Sequence, residues 1–210
     1  MLRRDFSLLV LSACFTGASR AAKPLPATIL VLGDSLSAEY GLQRGEGWVA
    51  LLQARLEQEK IAARVVNASI SGDTTSGGRS RLPALLALHK PTLVIIELGG
   101  NDALRGLPLA MSRDNLQAMA QAAKAGGARV LLLGMQMPPN YGQAYAKQFA
   151  DLFSRVAKSQ QAALVPFLLK GVADGPDALK LFQADRIHPL ASAHPTILNN
   201  VWPTLKKLLG

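Results

Sequence analysis

An α/β fold built on a five-stranded parallel sheet is predicted by three observations. Apolar runs of strand length recur five times along the 210-residue chain. Segments with helical periodicity separate them, and strictly alternating strand and helix means parallel strands joined by helical crossovers. The strand runs are nearly continuous rather than alternating, as in Leu93-Val94-Ile95-Ile96 and Val130-Leu131-Leu132-Leu133. Both faces of the sheet are therefore expected to be covered.

The elements follow in order. Lys23-Pro24-Leu25-Pro26 is a stiff extended lead-in, because each proline biases its neighbour away from helix. The first strand is Ala27 to Leu32, and the later ones are read at Arg64 to Asn67, Thr92 to Leu98, Ala128 to Gly134 and Ala162 to Pro166. Between them, Trp48, Leu51, Leu52 and Leu56 mark one helix and Leu82, Leu85 and Leu86 a second. A third runs from about Ser112 to Ala125 and stops at Gly126-Gly127. A fourth, Gln143 to Gln160, carries Tyr145, Phe149, Phe153 and Val156 on one face. In the last, Ala191 to Leu209, Pro195 suits a helix start, whereas Pro203 is expected to kink or break the helix. There is no internal repeat or linker, so residues 22–210 are read as one domain, long enough to bury a single large core.

The first 21 residues are read as a signal peptide. Arg3 and Arg4 precede the apolar segment Phe6 to Phe15, and the small residues Gly17, Ala18, Ser19 and Ala21 follow. A periplasmic or secreted location is the expectation. Leu11-Ser12-Ala13-Cys14 also resembles a lipobox, which would lipidate Cys14 and anchor the protein to a membrane, and Arg3-Arg4-Asp5-Phe6 loosely resembles a twin-arginine signal. Cys14 is the sole cysteine, so the chain has no internal disulfide. The net charge is +9, but the basic residues are scattered and only 5% of residues are aromatic. A nucleic-acid groove with stacking platforms is therefore not expected, and the charge favours anionic substrates or lipid head groups.

The right-handed crossover rule brings the loops after all five strands to one edge of the sheet, where open α/β sheets bind ligands. The first loop, Gly33-Asp34-Ser35-Leu36-Ser37, holds a serine at a strand end. The second contains Ser71-Gly72-Asp73, the third Gly99-Gly100-Asn101-Asp102. Near the C-terminus, Asp185-Arg186-Ile187-His188-Pro189 sets a carboxylate three residues ahead of an imidazole. A serine hydroxyl is a weak nucleophile until a base takes its proton, and histidine is the usual base. Asp185 would orient His188 and stabilise its imidazolium. The backbone amides of Ser35 and Gly72 and the side-chain amide of Asn101 would bind the oxyanion.

These four blocks, in this order, resemble the SGNH (GDSL) hydrolases. Asn67 to Thr74, Glu97 to Asp102 and Pro138-Pro139-Asn140-Tyr141-Gly142 are similar in particular to the secreted bacterial branch described as acyl-CoA thioesterase I, protease I, arylesterase and lysophospholipase. The similarity spans residues 27 to 205. It implies a three-layer α/β/α sandwich of flavodoxin-like type. It also implies Ser35 as nucleophile, His188 as base supported by Asp185, and Ser35, Gly72 and Asn101 as the oxyanion hole. The expected activity is cofactor-free, metal-free hydrolysis of carboxylic esters and thioesters through an acyl-enzyme.

Two positions depart from the family pattern. Glu39 and Arg186 stand where many members have glycine. Arg186 is expected to alter substrate preference or the pKa of Asp185, and Glu39 to influence which acyl group is admitted. The apolar, proline-stiffened loop Met135 to Gly142, with Pro139, Asn140 and Tyr141, is a candidate lining for the acyl group. Asp34, Asp73 and Asp102 lack a histidine or cysteine cluster at ligand spacing and are read as braces of their turns. His89 is read as a solvated helix end, and His194 as structural. A carbohydrate deacetylase of the same family and a flavodoxin-like binding protein are the alternatives. The latter is disfavoured because the first loop has neither a dinucleotide fingerprint nor a Walker lysine.

Overall fold

The computed structural model describes residues 26–210, so the signal segment, Cys14 and the twin-arginine motif lie outside the described residues. Five strands form one sheet: β1 (Ala27–Gly33), β2 (Ala63–Asn67), β3 (Leu93–Glu97), β4 (Arg129–Leu133) and β5 (Ala163–Val165). All pairs are parallel and the order is β2-β1-β3-β4-β5. The chain runs outward from β1 to β2, returns across it to β3, and then continues the other way. The order therefore reverses at β1, which is where a crevice opens beyond the strand ends.

Among the described residues there are six α-helices: α1 (Trp48–Gln58), α2 (Thr75–His89), α3 (Gly100–Leu104), α4 (Leu109–Ala125), α5 (Gln143–Gln160) and α6 (His194–Leu209). α1 packs on α6, while α4 packs on both α2 and α5. Two helical layers thus enclose the sheet. β3 is buried along its whole length, as its unbroken apolar run implies. β2 is an edge strand, and its Arg64 and Asn67 are exposed.

Local chemistry explains most element ends. Thr74 caps α2 by accepting a hydrogen bond from the Gly77 amide. α4 begins at Leu109, earlier than its periodicity suggests, because Pro108 precedes it and leaves the first turn's stripe unmarked. The α5 stripe is realised, with Phe149 and Phe153 packed edge to face at 5.3 Å between centroids. The break expected at Pro203 does not occur: α6 runs unbroken from His194 to Leu209. Proline removes one backbone donor there, but Ile197, Leu198, Val201, Trp202 and Leu205 bury a continuous stripe, and that packing outweighs one missing hydrogen bond. Among the described residues, no helix is long and apolar enough to cross a membrane.

Candidate active site

Ser35 sits in the turn immediately after β1. Gly33 ends that strand because of space: a Cβ there would lie 2.8 Å from the Ser37 Oγ and 2.9 Å from the Glu97 Oε2. The need is close approach rather than the sharp turn read from sequence. Asp34 then turns the chain, its Oδ1 accepting the Leu36 amide at 3.0 Å.

The loop carrying His188 is a closed turn. Phe182 and Pro189 form an antiparallel bridge, and the Gln183 amide donates to the His188 carbonyl at 2.8 Å. At its tip, Asp185 Oδ1 accepts the amides of Ile187 and His188 at 2.9 and 3.0 Å. Asp185 Oδ2 lies 2.6 Å from His188 Nδ1, and His188 Nε2 lies 2.8 Å from Ser35 Oγ. These amides and the imidazole pull the Asp185 carboxyl down to about 2, the His188 backbone hydrogen bond contributing most. An anionic Asp185 accepts from the Nδ1 proton, which leaves Nε2 free to take a proton from Ser35. Arg186, between Asp185 and His188 in the chain, is exposed.

Both departures from glycine fall on left-handed backbone: Glu39 has φ 59° and Arg186 φ 58°. Such a conformation costs a non-glycine residue about 1–2 kcal/mol. Glu39 offsets it locally, since its Oε1 accepts the amides of Gly45 and Gly47 at 3.0 and 2.9 Å. Its carboxylate braces the 39–47 loop.

The other expected residues arrive from their own loops. Asn101 lies in α3, and its Nδ2 donates to Asp34 Oδ2 at 3.0 Å, beside Ser35. Gly72, at φ 79°, occupies the loop between β2 and α2. That loop is stitched to β1 by the Ile70 amide, which donates to the Gly33 carbonyl at 3.0 Å. Asp73 accepts from the Thr74 amide and from Arg81, and Asp102 from Thr75 and Ser112. All three aspartates thus brace turns. Pro139–Tyr141 form a single 3-10 turn beyond β4 at the same edge. Met135 and Met137 of that loop are buried in the core. Among the described residues, no three histidine, cysteine or acidic side chains come together as a metal-ligand set.

Four residues were not singled out from sequence. Tyr40 lays its ring against His188, with centroids 4.2 Å apart. Gln183 Nε2 donates to the carbonyls of Tyr40 and Pro189, clamping the serine loop to the histidine loop. Arg81 donates to Asp73, to the Ala68 carbonyl and to the Gly33 carbonyl, joining the first two loops. Glu97 accepts from the Ser37 hydroxyl at 2.8 Å and the Asp34 amide at 3.3 Å. Only Glu97 carried a signal: it is an acid inside an otherwise apolar buried run.

A parallel α/β/α sheet that presents a serine, an imidazole and a carboxylate in one hydrogen-bonded line defines a class, the serine-hydrolase type of ester-cleaving enzyme. The comparisons agree. The chain belongs to the GDSL-like lipase/acylhydrolase family, whose pattern matches residues 31–194. It is 54% identical over 201 residues to the esterase TesA of Pseudomonas aeruginosa, covering 96% of this chain and 98% of that protein. It is 40% identical over 183 residues to thioesterase 1/protease 1/lysophospholipase L1 of Escherichia coli K12, covering 87% and 85%. The crystal structure of TesA matches with a TM-score of 0.83 and 57% identity over 86% of this chain and 99% of that one. The psychrotrophic esterase EstA from Pseudoalteromonas sp., inhibited by monoethylphosphonate, matches with a TM-score of 0.81 and 43% identity over 87% and 98%.

Proposed function

We propose that the protein hydrolyses acyl esters and thioesters through an acyl-enzyme on Ser35. The observation that carries this reading is the unbroken line from Ser35 Oγ through His188 to Asp185, with links of 2.8 and 2.6 Å. Ser35 Oγ attacks the acyl carbonyl while His188 Nε2 takes its proton, and Asp185 holds the imidazolium that forms. The oxyanion is met by the backbone amides of Ser35 and Gly72 and by the Asn101 Nδ2. Collapse breaks the bond to the alcohol or thiol, which leaves with the proton from Nε2. Water, deprotonated by His188, then attacks the acyl carbonyl, and the acid is released as Ser35 regains its proton.

Pro139, Asn140 and Tyr141 are assigned to the substrate side of the site, supported by their place at the same sheet edge and by the exposure of Asn140 and Tyr141. Arg186 is assigned a part in substrate preference, supported by its exposure beside His188. Export to the periplasm or the medium fits the N-terminal layout of residues 1–21. Lipid attachment at Cys14 rests on the Leu11–Cys14 motif alone, and palmitate labelling of the Cys14→Ala variant tests it.

Labelling by a fluorophosphonate should be complete in the native enzyme and lost in Ser35→Ala and His188→Ala. Asn101→Ala should lower kcat by about 10²–10³. A chain-length series of p-nitrophenyl esters, acyl-CoAs and acetylated sugars then separates acyl hydrolase from carbohydrate deacetylase. Arg186→Gly, run through that series, should change the order of preference among substrates. Labelling that survives Ser35→Ala would place the nucleophile elsewhere.

A further inference from the structure

Two carboxyl groups lie beneath the serine turn, and the chemical steps above use neither. Asp34 and Glu97 are each only 2% exposed, and the Glu97 carboxyl reaches the serine turn at Asp34, whose backbone amide donates to Oε2 at 3.3 Å. Two anions in that position would repel each other in a medium that solvates neither, so the pair must carry a proton.

The surrounding hydrogen bonds say where it resides. Asp34 is ringed by donors suited to an anion: the Leu36 amide on Oδ1 and the Asn101 amide on Oδ2. Glu97 lies deeper, at the end of β3, with the Ser37 hydroxyl and the Asp34 amide both directed at Oε2. Burial and the neighbouring Asp34 push its carboxyl well above the usual range. The guanidinium that reaches this turn, Arg81, donates to the Gly33 carbonyl and to Asp73 rather than to Glu97.

We propose that Glu97 is a positioning residue that acts as a neutral carboxylic acid, donating its proton to Asp34 and so keeping Asp34 the anion that orients the Asn101 amide. This rests on the assignment of Asn101 to the oxyanion site. An asparagine amide has two ends of nearly equal size. An anionic Asp34 accepts only from Nδ2, which fixes one N–H on Asp34 and leaves the second for the substrate oxygen. A protonated Asp34 could instead donate to Asn101 Oδ1, turning a carbonyl toward the oxyanion. Glu97 therefore acts on catalysis through two intervening side chains, without touching substrate. The empty space at Gly33 has the same purpose, since a Cβ there would displace the Glu97 Oε2 and the Ser37 hydroxyl.

The test combines infrared spectroscopy with kinetics. At pH 7 the native enzyme should show the carbonyl stretch of a buried protonated carboxylic acid, and Glu97→Gln should abolish it. Glutamine keeps a donor toward Asp34 and an acceptor toward Ser37, so Glu97→Gln should retain kcat within about threefold. Glu97→Ala, which removes both, should lower kcat by about ten- to a hundredfold with KM little changed. Absence of the band in the native enzyme overturns the proposal, as does a band that persists in Glu97→Gln. A Glu97→Gln variant as impaired as Glu97→Ala also overturns it, because the ionised carboxylate would then be what matters. The infrared measurement needs no folded alanine variant. Fluorophosphonate labelling of the native enzyme reports separately on Ser35, so a failure of the nucleophile assignment is distinguished from a failure at Glu97.

Discussion

Asp34 is the residue at which stability and catalysis meet. Burial pushes its carboxyl up to about 6, partly opposed by the Leu36 amide and the Asn101 amide. Between an unfolded value of about 3.9 and that folded value, the folded state holds more protons than the unfolded chain. The contribution of Asp34 to stability therefore falls as pH rises through this window and recovers on acidification. Asp34→Asn removes the titration. Urea midpoints of the two proteins should show the native chain gaining stability relative to the variant as pH drops from about 6 to about 4. A pH-independent difference would mean that Asp34 titrates normally. Asp185 shows the opposite pattern: its depressed carboxyl adds stability above about 3.9, lost as pH falls through about 2. Two aspartates of one site thus have opposite protonation preferences, because one is enclosed and the other sits near the surface among amide donors.

At the scale of elements, α1 shows how an end is secured from a distance. Gly47 at its N-terminus supplies no capping side chain, and the Trp48 amide instead donates to His194 Nδ1 at 3.0 Å. His194 opens α6, so one imidazole fastens two helices of the same layer. Burial lowers its pKa, favouring the neutral ring that can accept from Trp48. His194→Ala should cost about 1–3 kcal/mol at neutral pH, read from the urea midpoint, because a buried amide loses its partner. The loss should shrink as pH falls below about 6.5, since the native protein must then keep a ring neutral that the unfolded chain protonates. A constant loss across that range would show that the proton state of His194 is irrelevant. The structural role read for His194 was legible from its place before Pro195. Its partner was not, because Trp48 lies far away in sequence and nothing local marks the pairing.

Across the whole molecule, the net charge predicts a salt effect on the capture of anionic substrates. The sequence carries a net charge of +9, and acyl-CoA is an anion whereas a p-nitrophenyl ester is neutral. Added salt should therefore raise KM for acyl-CoA while leaving that for the neutral ester nearly unchanged, since screening shortens the reach of the field to about 8 Å at physiological ionic strength. Equal salt responses would show that the net charge does not act on substrate capture. At this scale most of the architecture could be read beforehand. Strand number, parallel sense and the shared edge follow from apolar run length and alternation, which are local quantities. That α6 does not break at Pro203 has the complementary cause: a helix-breaking propensity is local, but the stripe that holds the helix together is stabilised by packing on other elements. The strand order, with its reversal beside β1, is likewise decided by long-range pairing.

By itself the sequence determined the chemistry on offer: a strand-end serine, an acid three residues before a histidine, an asparagine and glycines in the intervening loops. Those depend on residue type and spacing, which short-range physics makes readable. Only the tertiary structure decided what surrounds them. Tyr40 against His188, Gln183 across two loops, and Glu97 beneath Asp34 are contacts between distant segments. The proton state of a buried carboxyl depends on that enclosure, because the cost of a charge is set by its neighbours and its distance from water rather than by its place in the chain.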